Sequence, residues 1–154
     1  MSISRIIRTN SQDEQFVALV RLLDADLRIR DGAEHDFYAA YNKIDSIAHV
    51  VVAYFDDTAV GCGAIKKFDD GTIEIKRMYV RPEQRGKGIA GEVLRELESW
   101  AVELGFGEAV LETGKKQPEA IRLYEKSGYN LIPNYGQYQG VDNSVCMKKS
   151  LTRK

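Results

Sequence analysis

From Arg81 to Leu94 the chain reads RPEQRGKGIAGEVL, which sets Gly86, Gly88 and Gly91 among Arg81, Arg85 and Lys87 directly ahead of a helical pattern. Glycine at positions 86 and 88 admits positive φ and clears side chains from the main chain. Downstream, Ile89, Val93, Leu94, Leu97, Trp100, Ala101 and Leu104 recur at helical spacing until Gly105, a C-cap residue. Upstream, EIKRMYV is β-rich, and Pro82 helps end that strand because it offers no ladder donor. A strand, a glycine turn and an amphipathic helix in succession commit the chain to a mixed architecture of sheet and covering helices.

The remaining periodicities extend that plan. Residues 3–8 read as a strand. Ser11 and Glu14 then form a capping-box pattern ahead of Phe16, Leu19, Val20, Leu23 and Leu27, which predicts an amphipathic helix. A short helix is expected over 36–42. The runs 49–55, 59–65 and 72–80, joined at Asp56-Asp57-Thr58 and Asp69-Asp70-Gly71, predict a three-stranded antiparallel meander. Residues 108–113 read as a strand, and Pro118 and Gly128 bracket a helix over 119–127. Residues 129–132 and 144–149 supply two closing strands around a tyrosine- and glycine-rich loop, 133–143. Trp100 and the Leu97/Leu104 stripe are expected in the core.

The 154 residues suffice for one domain, 1–154, with its own hydrophobic core. With 22 Lys+Arg against 23 Asp+Glu, no global field draws the chain to nucleic acid or an anionic membrane, although a local basic site is compatible with that balance. Cys62, Cys146, His35 and His49 do not reach metal-ligand spacing, and a reduced cytoplasmic setting fits two cysteines in apolar runs. No run approaches membrane-spanning length, and the amino terminus lacks a signal pattern.

The glycine turn has two readings. It is an ordinary strand-to-helix loop, or an anion clasp in which the unpartnered amides of the first helical turn, at the positive end of the helix dipole, receive a phosphate flanked by Arg85 and Lys87. Its spacing is neither Gly-x-Gly-x-x-Gly nor Gly-x-x-x-x-Gly-Lys-Ser/Thr, which argues against dinucleotide and nucleoside-triphosphate sites.

The stretch EIKRMYVRPEQRGKGIAGEVL resembles the acetyl-CoA-binding core of the GNAT N-acetyltransferase superfamily. Arg85-x-x-Gly88-x-Ala90 falls on its Arg/Gln-x-x-Gly-x-Gly/Ala signature, and AIRLYEKSGY, residues 120–129, resembles its late helix and following strand. The resemblance implies a mixed, mostly antiparallel sheet of six to seven strands flanked by about four helices. It implies acetyl-CoA as cosubstrate and no metal. The diphosphate is then expected on the amides of Arg85, Gly86, Lys87, Gly88, Ile89 and Ala90, and the pantetheine arm along Met78, Tyr79 and Val80. The family often has asparagine where this chain has Gln117, so a cofactor bond from Gln117 departs from the pattern.

Acyl transfer to an amine needs a proton acceptor, a donor to the developing oxyanion and an acid for the leaving thiolate. Glu74 matches in position the general-base glutamate of several family members, and reads equally as a surface carboxylate on a strand whose face holds Glu74, Lys76, Met78 and Val80 if no bulge intervenes. Glu112, in LETG, is its rival. A backbone N–H near Met78 or Tyr79 is the expected oxyanion donor. Tyr124 matches a tyrosine near the cofactor sulfur and reads alternatively as a packing residue of its helix. Lys115 and Lys116 read as ribose-phosphate ligands or as solvated surface.

The acceptor cleft is expected between the early helical region and the late strands, with Arg28, Arg30, Glu34, Asp36, Tyr135 and Tyr138 as candidate lining. Acidic groups there suit a cationic amine, and arginines suit an amino acid's carboxylate. The leading expectation is acetyl transfer to a primary amine of a small molecule, amino acid or peptide, by a monomer or homodimer. A non-catalytic acyl-CoA-binding or regulatory module on the same fold is the alternative.

Overall fold

The computed structural model describes residues 3–31 and 47–151, without the side chains of Arg30 and Asp31. Chain order runs β1 (Arg5–Thr9), α1 (Glu14–Asp31), β2 (His49–Phe55), β3 (Thr58–Asp69), β4 (Thr72–Val80), α2 (Ile89–Glu103), β5 (Glu108–Gly114), α3 (Pro118–Lys126), β6 (Asn130–Ile132) and β7 (Ser144–Ser150). The described residues thus hold three α-helices and one seven-stranded sheet. The expected helix over 36–42 lies outside them.

Spatial order in the sheet is β1-β2-β3-β4-β5-β7-β6, and only β4 and β5 pair in parallel. The expected meander is β2, β3 and β4. Helix α2 buries Ile89, Val93, Leu94, Leu97 and Ala101 on one face of the sheet, against Val51, Val60, Ile73, Ile75 and Leu111. Helix α1 buries Phe16, Leu19, Val20 and Leu23 on the other, against Val50, Val52, Cys62, Ala64 and Tyr79. Each large apolar side chain so covered contributes about 1.5–3 kcal/mol, and two opposed layers hold the sheet between them.

Three local expectations are revised. The N-cap of α1 is Asp13, whose Oδ1 accepts from the amides of Gln15 (2.9 Å) and Phe16 (3.1 Å). Ser11 instead turns its Oγ to the amide of Ile47 (2.8 Å), tying the start of α1 to the approach of β2. Leu104 stands just past the end of α2 and is 43% exposed, so the core stripe ends before it. Trp100 is only partly buried, with His49 edge-on at 4.8 Å and the Arg8 guanidinium over its ring.

The faces of β4 switch partway along the strand. Cys62 of β3 lies opposite Tyr79 and Ala64 opposite Lys76, so Gly63 faces two residues, Arg77 and Met78. This is a β-bulge, and Arg77 takes φ +61 within it. A bulge shifts the side-chain parity by one residue. Glu74 and Lys76 therefore stand on the α1 side, whereas Met78 and Val80 pack with α2, and the four do not share a face. A Cβ added to Gly63 would lie 2.5 Å from Met78 Sδ, 2.8 Å from Leu97 Cδ1 and 3.1 Å from Val93 Cγ1.

The parallel pairing of β4 with β5 covers only Thr72↔Glu108, Ile73↔Ala109 and Glu74↔Val110. Beyond Glu74 the two strands part. β5 stays paired with β7 through Gly114, and β4 with β3 through Val80. The facing edges of β4 and β5 thus open a notch in the middle of the sheet. Since Gly63 packs behind the bulge that borders this notch, Gly63→Ala should destabilise the fold by about 1–3 kcal/mol through overpacking. Urea unfolding checks this, and an unchanged midpoint would show that Met78 and Leu97 yield without cost.

Candidate active site

The turn after β4 is built to leave its amides open. Pro82–Gln84 makes one 3-10 turn, and the Arg85 Nε–H donates back to the carbonyl of Val80 (2.9 Å), with the guanidinium near the Tyr79 ring. Gly86 and Gly88 both have φ +81, and a Cβ at either would meet nothing within 4 Å. The glycines are therefore required by backbone conformation, and they leave the approach to the main chain clear. Gly88 precedes α2, and no side chain caps that helix. The first amides of a 15-residue helix consequently face outward without a side-chain partner, where an anionic oxygen satisfies them best.

They open on a groove of about 280 Å³. One wall is Met78, Tyr79, Val80, Arg85, Gly86 and Gly88 to Gly91; the other is Gln117, Ala120, Leu123 and Tyr124 around α3, with Leu23 and Asp26 of α1. Lys87 does not line it, and its Nζ rests on Gln84 Oε1 at 3.0 Å. The remaining expected cofactor residues, Met78, Tyr79, Val80, Arg85, Gly86, Gly88, Ile89, Ala90 and Gln117, are all brought together there.

A second cavity of about 110 Å³ fills the notch between β4 and β5. It shares Leu23, Met78, Gln117, Ala120 and Tyr124 with the groove, so the two spaces meet at Met78 and Tyr124. Its other walls are Glu74 to Arg77 of β4, Glu112 to Gly114 of β5, Leu27 of α1 and Tyr138.

Two carboxylates stand in this notch on the α1 side of the sheet. The Glu74 side chain is 12% exposed; its Oε2 accepts from the Tyr135 hydroxyl (2.6 Å), and Lys76 Nζ lies 3.6 Å from its Oε1. Glu112 Oε2 accepts from the Ser144 hydroxyl at 2.7 Å. Arg77 is buried, with one guanidinium nitrogen 3.3 Å from Asp24 of α1.

Phenols surround the carboxylates. Burial first, and Glu112 next, hold the Tyr124 phenol above its ordinary range, so it stays protonated. Tyr138 is raised by burial and then by Glu112 and Glu74, and Tyr135 by burial and then by Glu74. The hydroxyl of Tyr124 has no hydrogen-bond partner among the described residues, although its ring packs edge-on against Tyr129 at 5.8 Å. Cys62 is pushed up to about 12 by burial, which makes it an inert core thiol.

The expected acceptor residues divide. Tyr138 lines the notch, whereas Tyr135 does not, its hydroxyl being turned to Glu74. Arg28 is exposed on α1 and lines neither cavity. The side chain of Arg30, and Glu34, His35 and Asp36 altogether, lie outside the described residues. Lys115 and Lys116 are exposed and line neither cavity. Sequence reasoning missed Leu23, Leu27 and Asp26, because the apolar positions of α1 read simply as core. It also missed Lys76 and Arg77 as notch residues. Two adjacent charges in EIKRMYV, where an apolar residue was due, were the available sign of the bulge. No cluster of His, Cys, Asp and Glu among the described residues is arranged to hold a metal ion.

Comparison with known proteins bears on this site. The acetyltransferase (GNAT) family model matches residues 16–129. An IAA acetyltransferase of Azospirillum brasilense is 38% identical over 102 residues, covering 66% of this chain and 67% of that one. The solved structure of a Klebsiella pneumoniae protein assigned as an acyl-CoA N-acyltransferase superposes with a TM-score of 0.80 at 29% identity, over 96% of this chain and 97% of that one. The PaiA N-acetyltransferase of Thermoplasma acidophilum, solved with coenzyme A, shares the fold at a TM-score of 0.69 and 20% identity, over 97% and 99% of the two chains.

The two stacked tyrosines should respond differently to loss of their hydroxyls. Tyr129 donates to Glu98 at 2.9 Å, so Tyr129→Phe should cost about 1–3 kcal/mol. Tyr124→Phe removes a hydroxyl that bonds nothing in the fold and should change stability by less than about 0.5 kcal/mol. Thermal and urea unfolding of the two variants decide it; equal losses would mean that Tyr124 serves the core alone.

Proposed function

Because the chain belongs to the acetyltransferase (GNAT) family and is an N-acetyltransferase, we propose that it transfers the acetyl group of acetyl-CoA directly to a primary amine of a small molecule, amino acid or peptide. The observation that carries this reading is the continuous path from the uncapped, positive-φ turn at Gly86 and Gly88, along Val80 to Met78, to the carboxylate of Glu74. The fit to coenzyme A rests on chain features alone: outward amides and Arg85 suit a diphosphate, and the free edge of β4 suits the amides of a pantetheine arm.

Each group at the junction then has a task. The neutral amine nitrogen forms a bond to the thioester carbonyl carbon, and its proton passes to Glu74 directly or through a water. A main-chain N–H of Met78 or Tyr79, on the edge that β5 leaves unpaired, donates to the carbonyl oxygen as it gains charge. As the carbon–sulfur bond breaks, the Tyr124 hydroxyl gives its proton to the sulfur and is reprotonated from solvent. The phenol carries a proton to give at physiological pH, although burial makes it a weaker acid, so the transfer accompanies departure of the sulfur and does not precede it. Glu112 is a second carboxylate near the amine and favours a cationic acceptor entering the notch. Free, buried Cys62 and Cys146 accord with a reducing cytoplasmic setting, and we read 1–154 as one domain.

Coenzyme A should raise the melting temperature, by the equivalent of about 2.7 kcal/mol at 100 times its dissociation constant. Gly88→Asp, which places a carboxylate on the open amides, should abolish that shift. With acetyl-CoA and a panel of amines, free thiol should appear. Glu74→Gln and Tyr124→Phe should each slow its release by about 10²-fold or more at unchanged coenzyme A affinity. Cofactor binding with silence across the panel would instead support a non-catalytic acyl-CoA-binding module, and no thermal shift would displace the clasp itself.

A further inference from the structure

Glu74 is held by groups from two distant parts of the chain. Lys76, two residues along β4, lies at 3.6 Å, and Tyr135, from the loop after β6, donates its hydroxyl at 2.6 Å. The Tyr135 ring is itself braced on two sides. Phe68 near the end of β3 meets it edge-on at 5.0 Å, and Tyr138 does so at 5.8 Å. Phe68 is 45% exposed, an unfavourable place for a large apolar ring, and the contact with Tyr135 accounts for it there. We propose that Tyr135 is a positioning residue of the transfer reaction: braced by Phe68 and Tyr138, it fixes the Glu74 carboxylate in its notch-facing arrangement.

The inference rests on the reading of Glu74 as the base and goes beyond it. A carboxylate with free rotation about its side chain spends little time aimed at the amine, whereas one tied by a short O–H···O bond is already oriented. Tyr135 leaves the second oxygen, Oε1, toward Lys76. Its phenol is held protonated by burial and by Glu74, so it donates throughout the working range. Among the described residues, the charged and titratable groups around Glu74 are Lys76 and Arg77 on β4, Lys66 opposite it on β3, Glu112 on β5, Cys146 on β7, and Tyr135 and Tyr138 from the loop. Tyr135 donates a hydrogen bond to its carboxylate at 2.6 Å.

Tyr135→Phe removes the hydroxyl and keeps the ring between Phe68 and Tyr138, so the fold and coenzyme A binding should be retained. In protein labelled with carbon-13 at the glutamate carboxyls, the resonance lost in Glu74→Gln identifies Glu74. Its titration midpoint should move to higher pH in Tyr135→Phe, because the ionised carboxylate has lost a donor. With acetyl-CoA and spermidine, glycine or a lysine tripeptide as acceptor probes, kcat should fall about tenfold, with the acid limb moving the same way. In the Glu74→Gln background the same substitution should cause no further loss.

An unmoved midpoint overturns the proposal. So does an undiminished kcat in Tyr135→Phe, or an equal loss with and without Glu74, which would place Tyr135 on the substrate. If Glu74→Gln itself leaves kcat unchanged, the base reading falls, and the positioning role with it. If Glu74→Gln is impaired while Tyr135→Phe is not, the positioning role alone falls.

Discussion

The site exists because β4 and β5 keep company for only three residue pairs. Each strand has a full-length partner on its other side: β5 pairs with β7 through all seven residues, and β4 with β3 as far as Val80. Both outer ladders are satisfied, so the half-sheets can diverge with the normal strand twist without loss of pairing elsewhere. The backbone groups along the parting need partners nonetheless. A free edge invites association with another chain, but here it lies inside the sheet, between walls supplied by α1 and α3. It is thus open to a narrow ligand that can pair with backbone amides.

The bulge at Arg77 gives that opening its chemical asymmetry. Before it, Glu74 and Lys76 face α1; after it, Met78 and Val80 face α2. One strand can therefore present charge to the notch and apolar surface to the core within seven residues. A non-glycine residue in the left-handed region costs on the order of 1–2 kcal/mol. Arg77 is held there by burial and by Asp24 on α1, so the helix that covers this face also stabilises the bend that makes the site.

Features that depend on near neighbours in sequence were legible. The glycine turn, the amphipathic stripe of α2, the meander and the bracketed α3 all follow from local spacing, and the groove residues from Met78 to Ala90 came with them. What failed depended on partners far along the chain. Ser11 and Asp13 are both competent caps, and only the distant amide of Ile47, which claims Ser11, decides between them. Tyr135 read as cleft lining, yet its partner Glu74 is 61 positions away, brought near by the insertion of β7 between β5 and β6.

Tyr124 and Tyr129 show how one fold engages two like residues differently. They are five positions apart, stacked edge to face and almost equally buried, at 6% and 3% exposure. Tyr129 is fully engaged: its hydroxyl donates to Glu98, whose other oxygen takes Lys149. Tyr124 shares the packing and lacks the bond. A hydroxyl that is not sealed from a cavity loses little by lacking a protein partner. This one sits where the groove meets the notch, so water or a ligand can supply the missing partner. Packing accounts for the Tyr124 ring and leaves its hydroxyl facing the space where groove and notch meet.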